Sequence, residues 1–250
     1  MKTKHIFTLT LSLITSCLHL SAFAHGPHTG GIQAEKNKQT QRTFDIVHAK
    51  VSRESNVLTF HMGVNGKAGA AKPKSTGALA GSDIFSYVWP TNLNSSTVGF
   101  EEDAGILALA VTSHPDFDDT PLYDENKDRN PLNDGKTWHS HWVVLAPNEG
   151  CDNGALAVID IPEGSKPKVP ATWPGLPILL DSPGWDPIFN KDSVEVKVAF
   201  NVDINLDSFQ YDGVTAGLRV HQNVHAPLLC VVNVFDIASG DLSLPGKIEP

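Results

Sequence analysis

Apolar and polar residues alternate with period two over much of this chain. Val194, Val196, Val198 and Phe200 oppose Glu195 and Lys197, and Leu58, Phe60, Met62 and Val64 oppose Thr59 and His61. A strand sends successive side chains to opposite faces, so this spacing predicts strands with one buried and one polar face. The same reading predicts strands over 43–51, 56–64, 83–89, 105–113, 141–146, 155–161, 193–200, 216–224 and 228–237. Each is short, rich in Val, Ile, Phe and Thr, and bounded by Gly, Pro, Asn or Asp. The segment GILALAVTS (105–113) is apolar on both faces and is expected to be a central strand. No window of helical period is long enough to cross between parallel strands. These strands, with no fixed repeat, predict an all-β fold: an antiparallel β-sandwich of immunoglobulin-like or jelly-roll type.

Two long irregular loops break the alternation, 114–138 and 162–192, the second with seven prolines. Loops of this length in a compact domain usually carry function or are disordered. Trp173, Leu176, Ile178 and Trp185 give the second loop enough apolar surface to pack down. Residues 25–42 carry little apolar material and are expected to form a flexible arm. The expected organisation is a secretory signal peptide over 1–24, the arm over 25–42 and one β-sandwich domain over 43–250.

The leader is read from Lys2 and Lys4, an apolar run, and Ala22-Phe23-Ala24, a small-x-small site that places cleavage after Ala24. A lipoprotein-type site ending at Cys17 competes, but LHLSAFA after it is too apolar for a tether. No other run approaches the roughly 20 apolar residues of a membrane helix. A periplasmic or secreted protein is therefore expected. Losing the two leader lysines takes the formal charge from −9 to −11. Such a chain repels nucleic acid and attracts cations, including metal ions. Two cysteines remain, Cys151 and Cys230, and in an oxidising compartment they are expected to form a disulfide.

The chemistry concentrates in histidine. On a strand, His139 and His141 of WHSHW share one face, and Trp138, Ser140 and Trp142 the other. Two imidazoles so placed can reach one metal ion. His114 ends the central strand, His61 lies on the polar face of its strand, and Arg219, His221, Asn223 and His225 share a face. His139, His141, His114, His61, His221 and His225 are therefore the candidate metal ligands. Imidazole suits copper and zinc. Asp116, Asp118 and Asp119 lie close enough in sequence to His114 to support imidazoles from behind.

Two further sites are candidates. Cleavage after Ala24 would make His25 the first residue, with His28 nearby. A terminal amine and imidazole on one residue resemble the histidine brace of lytic polysaccharide monooxygenases and certain periplasmic copper carriers, a resemblance that implies an N-terminal copper site. Separately, Asp124, Asn126, Asp128 and Asn130 offer oxygens at alternate positions, as a calcium loop would. An EF-hand is excluded, because Arg129 and Gly135 stand where it needs Gly and Glu. No nucleophile elbow, P-loop or dinucleotide fingerprint is present. The function expected is metal binding, of copper or zinc, for sequestration or handling, with the metal ion as the partner. A metal-dependent periplasmic enzyme is the first alternative. A glycan- or protein-binding sandwich with an aromatic strip of Trp89, Trp173 and Trp185 is the second.

Overall fold

The computed structural model describes residues 30–200, 206, 208–223, 225 and 227–249. The expected leader, His25 and His28 lie outside the described residues. The chain runs β1 (Ile32–Gln33), β2 (Ile46–Glu54), β3 (Val57–Val64), β4 (Asp83–Pro90) and β5 (Ile106–Ser113). It continues with β6 (His139–Pro147), β7 (Leu156–Val158), β8 (Leu180–Asp181), β9 (Ile188–Asn190) and β10 (Ser193–Ala199). It ends with β11 (Gln210–Tyr211), β12 (Val214–Val220), β13 (Leu229–Ile237) and β14 (Gly246–Lys247). All nine expected strands form. The five that the alternation misses, β1, β8, β9, β11 and β14, have only two or three residues, too few to show a period.

Five strands make one antiparallel sheet in the order β1-β2-β3-β10-β9. The larger sheet does not stay open as a sandwich layer. β5, β4, β12, β13, β7 and β6 pair in that order, and β5 then pairs with β6, closing a six-stranded barrel. β8 adds to the outer edge of β6 through Trp142 and Val143. The closure explains why β5 is apolar on both faces. Leu107, Leu109 and Val111 point outward and pack, with Tyr87, Trp89, Trp142 and Val144, against Phe60, Met62, Val194, Val196 and Val198 of the five-stranded sheet. Ala108 and Ala110 point inward and pack with Ile84, Val88, Val143, Leu145, Val158 and Leu229. Among the described residues the two larger cores lie on either side of the shared wall β4-β5-β6.

Part of the expected arm is docked. Ile32 is buried and pairs with Ala49. The Gly31 amide donates to Glu249 Oε1 (2.5 Å), and the His48 ring meets the Gly30 carbonyl (2.8 Å). A polar composition hid these specific anchors. Cys151 and Cys230 form the expected disulfide. No described helix is long and apolar enough to cross a membrane.

Candidate metal centre

The site grows out of strand parity. β5 and β6 pair with Thr112 opposite His139 and Ala110 opposite His141. The inward face of β6 therefore carries His139, His141, Val143 and Leu145 in succession. The shared face expected for the two histidines is present, but it faces the barrel interior and not solvent. His114 continues the inward parity of β5 one step past its end. Its amide donates to the Gly135 carbonyl (2.7 Å), which pins both ends of the 114–138 loop together. Only glycine fits at 135, since a Cβ there would lie 1.7 Å from the Phe117 carbonyl oxygen. Phe117 stacks on the His114 ring at 3.9 Å. The loop then delivers Asp119 to the same point.

His114, Asp119, His139 and His141 form a group able to hold a metal ion, and all four are buried. Asp119 Oδ1 lies 3.2 Å from His114 Nε2, 3.1 Å from His139 Nε2 and 3.3 Å from His141 Nε2. The His114 and His139 Nε2 atoms are 2.9 Å apart. The far side of each ring fixes its proton. His114 Nδ1 donates to the Phe117 carbonyl (3.0 Å) and His139 Nδ1 to the Thr137 carbonyl (2.7 Å). The Ser182 hydroxyl donates to the Asp119 carbonyl (2.7 Å), so it accepts from His141 Nδ1 (3.2 Å). A carbonyl only accepts, so the Nδ1 atoms of His114 and His139 carry the hydrogens in their neutral rings. Three Nε2 lone pairs then converge on one carboxylate oxygen. No hydrogen-bond partner among the described residues reaches Asp119 Oδ1 or His141 Nε2. A cation bound to all four atoms relieves this repulsion.

The electrostatics agree. Burial opposes ionisation of Asp119, but the surrounding imidazoles of His114, His141 and His139 outweigh it and hold the carboxyl well below the usual range. Burial instead raises Asp181 and Glu125, the carboxyls next outward. The centre thus has one strong anionic donor.

The other candidates are not in this group. His61 lies on β3 in the five-stranded sheet, opposite Glu195 and 5.3 Å from the His48 ring centre. β12 ends at Val220, so His221 and His225 fall in the exposed turn beyond it, and His225 Nδ1 meets Asp160 (3.1 Å). The expected alternation over 216–224 runs past the true strand end. In the acidic loop, Asp124 accepts from the amides of Asp128 (3.0 Å) and Arg129 (2.7 Å). Asn126 and Asp128 likewise accept from the amides of Asp128 (2.8 Å) and Asn130 (2.9 Å). Asn130 accepts from Leu132 (3.3 Å). These oxygens fold the loop on itself through its own backbone amides. Asp118 does the same for Thr120 and Asp134, and Asp116 for Thr76 and Gly77. Trp89, Trp173 and Trp185 do not form an exposed strip. Trp89 is fully buried, and Trp173 and Trp185 pack against the core.

Asp119 is the member of the group that strand periodicity could not assign, because it sits on a loop five residues past His114. Its only signal in the sequence is nearness to a strand-end histidine. Comparison of the chain with protein-family models, curated proteins and solved structures returns no match.

Proposed function

We propose that this is an exported protein that holds one Zn²⁺ ion as a resident metal inside its barrel. The observation that carries this is the convergence of three Nε2 lone pairs and Asp119 Oδ1 on one buried point. Ligand chemistry narrows the metal. Neither a thiolate nor a thioether belongs to the group, which disfavours Cu(I) and blue-copper sites. Geometry narrows it further. In a square-planar Cu(II) site each ligand faces another across the metal at about 4 Å, twice a bond length of 2.0–2.1 Å. Asp119 Oδ1 is 3.1–3.3 Å from all three nitrogens and so is trans to none. A tetrahedron with such bonds, the arrangement zinc prefers, has edges of about 3.3 Å, which the three oxygen–nitrogen distances approach and the 2.9 Å His114–His139 distance falls short of. Burial of all four ligands at 4% exposure or less favours retention over rapid transfer. The disulfide and the leader-like N-terminus support export.

A metal-dependent enzyme is a second reading, favoured by one observation: His114, Asp119 and His141 line a cavity inside the barrel. The experiment for the first reading is zinc titration of the mature protein by calorimetry. One Zn²⁺ per chain is expected. The double change His139→Ala plus His141→Ala should abolish stoichiometric binding while circular dichroism stays β-rich. Undiminished binding in that variant would overturn the assignment.

A further inference from the structure

We propose that the barrel interior is a binding site for one small, wholly nonpolar molecule, a short hydrocarbon of about four or five carbons. The site is independent of the zinc reading, because its wall needs no metal. A cavity of about 110 Å³ lies within the barrel. Strand parity makes the room. Ser86, Ala110 and Ala216 are small, line the cavity and lie near one another in the register: Ser86 pairs with Ala216, and Ala110 with Val88. Larger apolar residues, Ile84, Val88, Val143, Leu145, Val158 and Leu229 among them, continue the wall. Close-packed interiors leave few voids of this size.

The class of guest is read from the atoms that the wall withholds. His114 and His141 close one end, but the Nε2 of each turns to Asp119 Oδ1 (3.2 and 3.3 Å). Their Nδ1 atoms turn to the Phe117 carbonyl (3.0 Å) and the Ser182 hydroxyl (3.2 Å). The Ser86 hydroxyl donates to the Ala216 carbonyl (2.9 Å). Thr112 Oγ1, Asp119 Oδ1 and His141 Nε2 are buried and sealed from the cavity. A buried water needs about two to four polar partners, and this wall offers almost no polar surface. A nonpolar guest needs no such partner and gains dispersion contacts from the walls around it. An apolar cavity of roughly 150 Å³ holds benzene, so the smaller volume here suits a guest of about four or five carbons.

The way in lies at the end opposite the histidines. Pro90, Ile106 and Leu242 line both the cavity and a hollow on the outer surface. Ile106 starts β5 and Pro90 ends β4, the ends of those strands away from Thr112 and His114. Leu242 comes from the loop after β13 and packs against the barrel core. Its φ of +60° lies in the left-handed region that leucine seldom adopts. Its amide donates to Ser239 Oγ (3.0 Å), and the Ser239 hydroxyl donates to the buried Asp212 (2.5 Å). The loop so tied holds an apolar side chain at the mouth of the barrel, where it acts as a stopper.

The test uses the mature, disulfide-bonded protein with ¹³C-labelled methyl groups, once as purified and once loaded with Zn²⁺. Xenon, cyclopentane, cyclopentanol and naphthalene are titrated by NMR, with zinc content measured in every sample. Cyclopentane is expected to bind once per chain and to shift the methyls of Ala110, Val143 and Ala216, and xenon to shift the same methyls. Cyclopentanol must bury an unpaired hydroxyl and should bind about tenfold more weakly or worse. Naphthalene is too large and should not bind. Ala216→Leu fills the cavity and should abolish cyclopentane binding at unchanged zinc content. Ala216→Val fills less of it and should weaken binding about threefold or more; it carries the test if Ala216→Leu does not fold. Leu242→Ala should speed guest exchange about tenfold, and unchanged exchange overturns the way in. No methyl shift with either cyclopentane or xenon overturns the site, whatever the zinc content. Cyclopentanol bound as tightly as cyclopentane overturns the nonpolar class. Cyclopentane bound by protein that takes up no zinc overturns the metal reading alone and leaves this site standing.

Discussion

Ser182 has one hydroxyl proton and gives it to the Asp119 carbonyl, which leaves its lone pairs for His141 Nδ1. One side chain thereby orients two ligands. Partners of this kind typically contribute about 10–100-fold to metal affinity. Ser182→Ala should therefore weaken zinc binding by about that factor, with little change in fold, as competition with a chromophoric chelator would measure. Protons compete with the metal for the same three Nε2 atoms. Zinc affinity should fall as pH drops from 7.5 towards about 6, where free imidazoles protonate. A pH-independent affinity over that range would argue against ligation by all three histidines. At this scale the sequence was partly legible. Alternation put His139 and His141 on one face, and strand length put His114 near them. Asp119 was visible only as a neighbour, because a loop has no period from which to read direction. His61 misled for the converse reason: period two gives a face, but not which sheet the strand joins.

The elements around the centre show what holds it. β6 has two buried faces, with Trp142 packed at ring distances of 5.9 Å from Phe60 and 6.4 Å from Trp185 and Phe200. Truncating Trp142 to Ala should cost about 3–5 kcal/mol in denaturant unfolding and loosen the strand that carries two ligands. β7 and β13 join at one registered pair, and the disulfide links β13 to the turn before β7 across a separation of 79 residues. Opening a loop of that size should cost about 4.5 kcal/mol on the chain-entropy model. Cys151→Ser plus Cys230→Ser should show that loss in unfolding curves. At the other edge, Glu249 pairs with Lys50 (2.6 Å) and accepts from Gly31. The Lys50 hydrogen bond leads in lowering its carboxyl, against a smaller opposing effect of burial. A depressed folded value means the contribution is full above the ordinary carboxylate range and is lost as pH falls through the folded value. Glu249→Gln should therefore destabilise at pH 7 by up to about 1 kcal/mol, and the difference from wild type should vanish in acid.

The whole molecule differs from an open sandwich by a single pairing. Once β5 meets β6, the face opposite the tryptophans becomes the inside of a barrel, and two histidines that period two left facing away from a core become buried members of the candidate centre. The strands, their antiparallel order and the disulfide were legible because each rests on local spacing or on the pair of cysteines left beyond the expected leader. Closure was not, because it depends on a long-range pairing across the 114–138 loop. The apolar inward run of β5 was its one trace in the sequence. The most direct measurement of the central claim is zinc K-edge X-ray absorption on mature protein purified from the exported fraction, alongside metal analysis. One zinc per chain, with four nitrogen or oxygen neighbours at about 2.0–2.1 Å and the outer-shell pattern of three imidazoles, is the predicted result. Protein that binds no zinc, or zinc with a sulfur neighbour or fewer than three imidazoles, would contradict it.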